Sequence, residues 1–88
     1  MKLRQLGSNQ TELTATKMVK GITDYPAELT VLFSYETPVA CHVEGVGYFR
    51  TEKKWSVTTS LHINKWIDAN GGSEAEQKPQ TFFDSLIS

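Results

Sequence analysis

The segment GVGYFRTEKKWSVTTSLHINKW, at positions 45–66, contains a turn, a strand and a helix in succession, and it decides the fold that we expect. Two glycines flank Val46 and predict a tight hairpin turn, because glycine accepts the backbone angles that such turns require. Residues 48–56 then place a largely charged face opposite a face with an aromatic residue at each end, which is typical of a strand. The turn and the strand together indicate the last hairpin of an antiparallel sheet.

A helix is predicted to follow this strand. The hydroxyl residues at 58–60 can cap a helix N-terminus, because their side-chain oxygens accept hydrogen bonds from free backbone N–H groups. Ile63, Trp66 and Ile67 follow at helical spacing and form a narrow apolar stripe. The sequence Asn-Gly-Gly at 70–72 favours the end of the helix, since these residues tolerate left-handed backbone angles.

Three more strands are expected upstream of position 45. Residues 10–16 alternate and are rich in threonine, which favours an edge strand. Residues 28–35 give the clearest strand, with apolar side chains at every second position. Pro38 is expected to break that strand because proline has no N–H for a ladder, and residues 39–44 then alternate again.

The C-terminal part is predicted to add one short helix. Residues 73–78 are polar and indicate a linker, and Pro79 suits the first turn of a helix. The apolar face of that helix is expected to comprise Phe82, Phe83, Leu86 and Ile87. The predicted fold class is therefore α+β: a small antiparallel β-sheet of about four strands, followed by one main helix and a short C-terminal helix. Both helices are expected on one face of the sheet.

Length and composition limit the classes of protein to which the chain can belong. Its 88 residues fit a single domain, residues 1–88, and its contents of 39% hydrophobic and 22% charged residues are ordinary for a globular protein. The lone cysteine, Cys41, allows no internal disulfide, which favours a reducing compartment. No signal-peptide run or membrane-length apolar stretch occurs, so we expect a cytoplasmic location and no membrane partner.

Charge is unevenly distributed along the chain, although the net charge is only −1. Residues 48–67 carry a local charge of +3, and residues 68–88 carry −3. Basic and aromatic side chains are concentrated in the first of these segments, where they could neutralise phosphates and stack on bases, or dock on an acidic protein surface. The expected binding residues are Tyr48, Arg50, Lys53, Lys54 and Lys65.

Catalytic and metal-binding roles are not expected. A structural zinc site needs four ligands, usually in paired spacings, whereas this chain offers Cys41, His42 and His62 without such spacing. Cys41 alternates with Val39 and Val43 on what should be a core face, where a thiol behaves as a small apolar group. We therefore predict no catalytic residue, no metal and no cofactor, and a protein that is not an enzyme.

Three motifs together resemble a known pattern. They are FSYETPVA at 33–40, GVGY at 45–48 and SVTTSLHINKW at 56–66. In this combination the chain resembles a family of small uncharacterised proteins encoded by phages, prophages and plasmids. The resemblance implies an origin on a mobile element and a non-enzymatic accessory role in the cytoplasm of the host cell, and it supplies no ligand.

The leading functional hypothesis follows from this resemblance. Accessory proteins of that kind often occupy a surface of a host protein or nucleoprotein complex, so we expect a binding protein such as a counter-defence inhibitor. Nucleic-acid binding through the same surface is one alternative, although the spacing does not match an RRM signature and the chain is not basic overall. Sequestration of a small nucleotide signal is the other, in a pocket lined by Tyr48 and Arg50 at the interface of a homodimer.

Overall fold

A sheet whose strands follow one another in sequence order organises the fold. Within residues 2–7, 9–72 and 74–87, which are those that the computed structural model describes, the chain forms six strands and two helices. They are β1 (Lys2–Gly7), β2 (Gln10–Lys17), β3 (Ala27–Ser34), β4 (Thr37–Val43), β5 (Gly47–Thr51), α1 (Val57–Ala69), β6 (Ala75–Lys78) and α2 (Gln80–Leu86). Strands β1 to β5 are antiparallel to their neighbours, and β6 joins β5 in parallel after the chain has passed through α1. The α+β prediction is confirmed.

The two helices cover opposite faces of the sheet. Leu29 and Val31 of β3 share a buried cluster with Phe83 of α2, whereas Leu32 of β3 shares a second cluster with Ile63 of α1. Successive side chains of a strand point to opposite faces, so a strand that is apolar at consecutive positions must be covered on both sides. The expectation that both helices lie on one face is therefore wrong.

The described part of the chain contains two strands that the sequence does not predict. In β1, Leu3 and Leu6 are three positions apart and lie on opposite faces, so no apolar alternation marks the strand. Strand β6 is short and polar, and it occupies most of the segment 73–78 that was expected to be a linker. Both are held by backbone ladders, with β2 and β5 respectively, rather than by an apolar pattern. Ser73 of that segment lies outside the described residues.

The chain leaves the sheet earlier than expected before α1. The strand predicted over 48–56 ends at Thr51, and a loop of five residues follows. The N-cap of α1 is Ser56, whose Oγ accepts a hydrogen bond from the backbone N–H of Thr59 at 3.2 Å. The cap predicted at 58–60 therefore lies within the first turn of the helix rather than in front of it.

The helices differ in length and in what they bury. Helix α1 has 13 residues and buries Ile63 and Trp66, whereas α2 has seven residues and buries Phe83 and Leu86. The predicted short C-terminal helix occurs, but Pro79, which was expected in its first turn, is the N-cap, and the helix begins at Gln80. Within the described residues, neither helix is long and apolar enough to cross a membrane.

Candidate functional site

A cavity opens where the loop after β5 meets the first turns of α1. Its volume is about 340 Å³. We call it the entrance cavity, and its lining comprises residues 50–57 together with Thr59, Ser60, Ile63 and Gln77. Three of the five residues predicted to bind a partner line it: Arg50, Lys53 and Lys54. The loop therefore gathers most of the predicted basic residues into one place.

Arg50 is the most firmly positioned cation of the entrance cavity. It lies on β5, half-buried, and its Nη1 donates a hydrogen bond to Oδ1 of Asn64 on α1 at 2.9 Å. Opposite it in the parallel ladder stands Gln77 of β6. Its guanidinium also borders a neighbouring cavity, of about 510 Å³, that includes Asp68. A strand, a helix and a side-chain hydrogen bond together restrict the position of this charge.

Lys53 and Lys54 lie in the exposed loop that leads into α1. The backbone N–H of Lys53 donates to Oγ1 of Thr51 at 3.2 Å, and its Nζ lies 4.1 Å from the centre of the Trp55 ring. An ammonium group at this distance is attracted to the negative face of the indole. Trp55 remains 39% exposed, so a cation and an aromatic residue are presented side by side.

The entrance cavity is electropositive. Its lining contains Glu52 as the one carboxylate, against Arg50, Lys53 and Lys54. Among the side chains that the structure describes, the ion pair shorter than 4.0 Å joins Lys78 to a different residue, Glu76, at 2.9 Å. The three cations thus lack a carboxylate partner in the described part of the chain, and their field is available to an anionic ligand.

Tyr48 lies outside the entrance cavity and has a structural role. Its hydroxyl donates to the backbone carbonyl of Asn70 at 3.0 Å, and its ring meets Trp66 edge-on with 5.8 Å between the ring centres. On its other side, the ring of His42 lies 4.5 Å away. These contacts attach the end of α1 to β5 and leave the phenol hydroxyl already engaged.

Lys65 is placed on the other flank of α1. It borders a separate cavity of about 360 Å³ between the helix and the first two strands, together with Arg4 and Glu12. In that cavity the indole N–H of Trp66 donates to Oε2 of Glu12 at 2.7 Å. The fold therefore does not bring Lys65 together with Arg50, Lys53 and Lys54.

Residues 52–56, which we call the basic loop, adjoin two aliphatic residues that sequence reasoning missed. Val57 is 79% exposed and Leu61 is 51% exposed, one helical turn apart on α1. Their spacing of four positions fits a helix, but the apolar stripe that includes Ile63 and Trp66 is the stronger helical pattern in this part of the sequence. They extend the candidate site from a basic surface to a basic and apolar one.

The potential nucleophile lies in the core. Cys41 is fully buried, as expected from its alternation, and this burial raises the pKa of its thiol from 9.0 to about 12. A thiol with so high a pKa is a poor nucleophile, because the thiolate is the reactive form. Among the described residues, no group of three or more His, Cys, Asp or Glu side chains is arranged to hold a metal ion.

A set of hydrogen-bonded polar side chains lies where α1 crosses β3. Oγ of Ser34, which is buried, lies 2.8 Å from Nδ1 of His62 and 3.1 Å from Oγ1 of Thr59. Oγ of Ser56 donates in turn to Oγ1 of Thr59 at 3.3 Å. Thr59, one of the hydroxyl residues expected to cap the helix, thus also attaches the helix to the sheet, and it gives the buried hydroxyl of Ser34 a hydrogen-bond partner.

Comparison with known proteins identifies the family of the chain. No curated protein and no solved structure matches it. A family model, described as a family of unknown function (DUF8033), matches residues 1–85. Since this match extends over nearly the whole sequence, the chain belongs to the family of unknown function DUF8033.

Proposed function

We propose that this protein is a non-enzymatic accessory protein of a mobile element that binds a host protein or nucleoprotein complex in the cytoplasm and acts as a counter-defence inhibitor. The observation that carries the proposal is the entrance cavity, which Arg50, Lys53 and Lys54 line beside the exposed Trp55, with no carboxylate partner for these cations in the part of the chain that the structure describes. The partner surface that complements this arrangement is acidic.

The fixed positions of Arg50 and Trp55 favour binding. Arg50 is held by Asn64, and the Trp55 indole N–H donates to Oε1 of Gln80 at 3.2 Å, so both side chains lose little further freedom when a partner arrives. Tryptophan and arginine are also the residue types that most often dominate binding energy at protein interfaces. Lys53 and Lys54, which are exposed, would mainly accelerate association with an acidic partner.

Nucleic-acid binding is the second candidate function, and one observation favours it. The ammonium group of Lys53 above the Trp55 ring pairs a phosphate-binding group with a stacking surface, as in binders of single strands. Affinity for an oligonucleotide would then fall steeply as salt increases, because phosphate contacts release counterions. The nucleotide-sequestering alternative draws no support from Tyr48, whose ring and hydroxyl already contact Trp66 and Asn70.

Affinity capture from a lysate of the host tests the proposal. We expect the wild type to retain a partner that Lys53→Glu/Lys54→Glu loses. The matched control is Lys20→Glu/Lys65→Glu, which makes the same change in net charge at two exposed positions away from the entrance cavity. Recovery of the same partner by the wild type and both variants would refute the placement of the surface, and so would loss of the partner by the control.

A further inference from the structure

An exposed aliphatic pair adjoins the entrance cavity. Val57 lines the cavity and is 79% exposed, and Leu61 is 51% exposed. They are four positions apart on α1, so their side chains lie on the same side of the helix. The core beneath the helix is built by other residues, including Ile63 and Trp66, so packing of the fold does not account for Val57 and Leu61.

Val57 of this pair lines the entrance cavity together with Trp55 and the two lysines, and Leu61 lies one helical turn beyond Val57. A hydrophobic residue that is exposed singly needs no explanation, but three of them beside cations that have no carboxylate partner among the described residues are typical of an interaction surface. Such surfaces combine an apolar centre with a charged rim. Here Trp55, Val57 and Leu61 supply the centre, and Lys53 and Lys54 supply the rim.

We infer that the partner presents a polypeptide segment in which carboxylate side chains stand next to aliphatic or aromatic ones. This inference rests on the proposed function and specifies the chemistry of the partner. An apolar side chain of the segment would enter the cavity of about 340 Å³ between Trp55 and Val57, where its burial removes apolar surface of both chains from water. Its carboxylates would reach Lys53 and Lys54.

The aliphatic pair favours a polypeptide over a nucleic acid. Phosphates can contact Lys53 and Lys54, and a base can stack on Trp55, but Val57 and Leu61 offer neither charge nor a hydrogen bond to a nucleic-acid strand. A polypeptide can satisfy all five side chains at once. Substitution of the aliphatic pair therefore separates the two classes of partner.

Selection from a displayed library of random short peptides against the full chain tests this inference. We expect enriched peptides that combine Asp or Glu with Leu, Ile, Phe or Trp. Their affinity should fall by about tenfold or more for Val57→Ser/Leu61→Gln, because the peptide would no longer bury apolar surface against these two side chains. The variant should keep the melting temperature of the wild type, because both residues are exposed on the helix surface.

A matched variant controls for the loss of exposed apolar residues in general. Val46→Ser/Leu3→Gln makes the same two chemical changes at positions that are 48% and 68% exposed and lie outside the entrance cavity. It should bind the selected peptides as the wild type does. A loss of affinity equal to that of Val57→Ser/Leu61→Gln would overturn the inference.

Two further probes separate failure of this inference from failure of the proposed function. They are single-stranded oligothymidine and vesicles of phosphatidylserine with phosphatidylcholine, measured at physiological salt. Binding that needs Lys53 and Lys54 but is unchanged in Val57→Ser/Leu61→Gln, for peptides or for either probe, would overturn the inference and leave the basic surface in place. If neither pair of substitutions affects the binding of any probe, both the inference and the proposed function fail.

Discussion

The indole N–H of Trp55 donates to Oε1 of Gln80 across 3.2 Å, which ties the loop before α1 to the first turn of α2. The same oxygen accepts from Oγ1 of Thr51 at 2.8 Å, and the amide nitrogen of Gln80 donates to the carbonyl of Pro38 at 2.8 Å. One side chain therefore connects β4, the end of β5 and the basic loop. The orientation of the exposed indole depends on a residue that lies outside the entrance cavity.

Replacement of Gln80 by alanine should loosen this connection. We expect Gln80→Ala to lower the free energy of unfolding by about 1–3 kcal/mol, because the buried Thr51 hydroxyl and the Pro38 carbonyl lose their partner. Urea denaturation measures this change, and the anisotropy of tryptophan fluorescence should fall as the Trp55 ring gains freedom. Gln77→Ala, at an exposed position of β6, is the control and should differ little from the wild type.

Replacement of Ser56 should weaken the start of α1. Ser56→Ala removes the oxygen that accepts from the Thr59 N–H, and loss of an N-cap of this type costs about 0.5–2 kcal/mol. Thr58→Ala and Ser60→Ala, which change exposed hydroxyl residues of the first turn, serve as controls for thermal or urea unfolding. If either control were as damaging as Ser56→Ala, the assignment of the cap to Ser56 would be incorrect.

Phe83 should be among the most sensitive positions of the fold. It is fully buried on the α2 side of the sheet, and truncation of a buried phenylalanine costs about 3–5 kcal/mol. Native domains have about 5–15 kcal/mol of stability in total, so Phe83→Ala should lose a large fraction of the free energy of unfolding. Circular dichroism across a urea series measures this loss. Ile87→Ala, at a site 45% exposed in the same C-terminal region, should cost far less.

Stability should fall at high pH because of Cys41. Its thiol has a pKa of about 12 in the folded chain and close to 9.0 when it is exposed by unfolding. The unfolded state therefore releases this proton first as pH rises. The stability contributed by the neutral thiol is complete below pH 9 and is lost between pH 9 and 12. Urea denaturation of the wild type and of Cys41→Ala should give a difference that shrinks above pH 9.

A thiol reagent provides an independent measurement on the same residue. At neutral pH we expect Cys41 to react only as fast as the chain opens, since the thiol is fully buried. Addition of urea below the unfolding midpoint should raise the rate in proportion to the population of open molecules. Rapid labelling in the absence of denaturant would contradict the core position of this side chain.

Tyr48 should affect stability and not binding. Tyr48→Phe removes the hydroxyl that donates to Asn70, which should lower the free energy of unfolding by about 0.5–1.5 kcal/mol. The ring contact with Trp66 would remain. Affinity for peptides selected on the wild type should be unchanged, whereas Arg50→Ala should weaken it. Equal losses of affinity for the two variants would show that Tyr48 belongs to the binding surface.

The elements that sequence reasoning predicted well are those with a clear apolar period. The strand expected at 28–35 and the helix containing Ile63 and Trp66 both occur, because each must bury a regular set of apolar side chains. Strands β1 and β6 were missed because backbone hydrogen bonds to β2 and β5 stabilise them, and such bonds leave no apolar period in the sequence. The covering of both sheet faces is marked in β3 by Leu32 alone, which lies on the face opposite Leu29 and Val31 between polar residues, and this is too weak a pattern to predict a second covered face.

For the candidate site, too, the sequence predicts what depends on local chain geometry and not what depends on contacts between distant elements. Arg50, Lys53 and Lys54 are close in sequence, so their grouping follows from local chain geometry. Lys65 was grouped with them by its charge and proximity, but the turn of the helix carries it to the flank that faces β1 and β2. Tyr48 is on the same strand face as Arg50, but Tyr48 contacts Asn70 at the C-terminal end of α1, whereas Arg50 contacts Asn64 in the middle of the helix.

The parallel pairing of β6 has a consequence for when the protein becomes able to bind. The antiparallel ladders from β1 to β5 join strands that follow one another directly in the sequence, so they can form while the chain is still being synthesised. The basic loop is fastened later, by the Glu52 N–H that donates to the Lys78 carbonyl at 2.9 Å and by Gln80. We therefore expect a ribosome-bound nascent chain to form strands β1 to β5 first. It should become able to bind last, when residues 75–80 emerge and close the longest loop of the sheet.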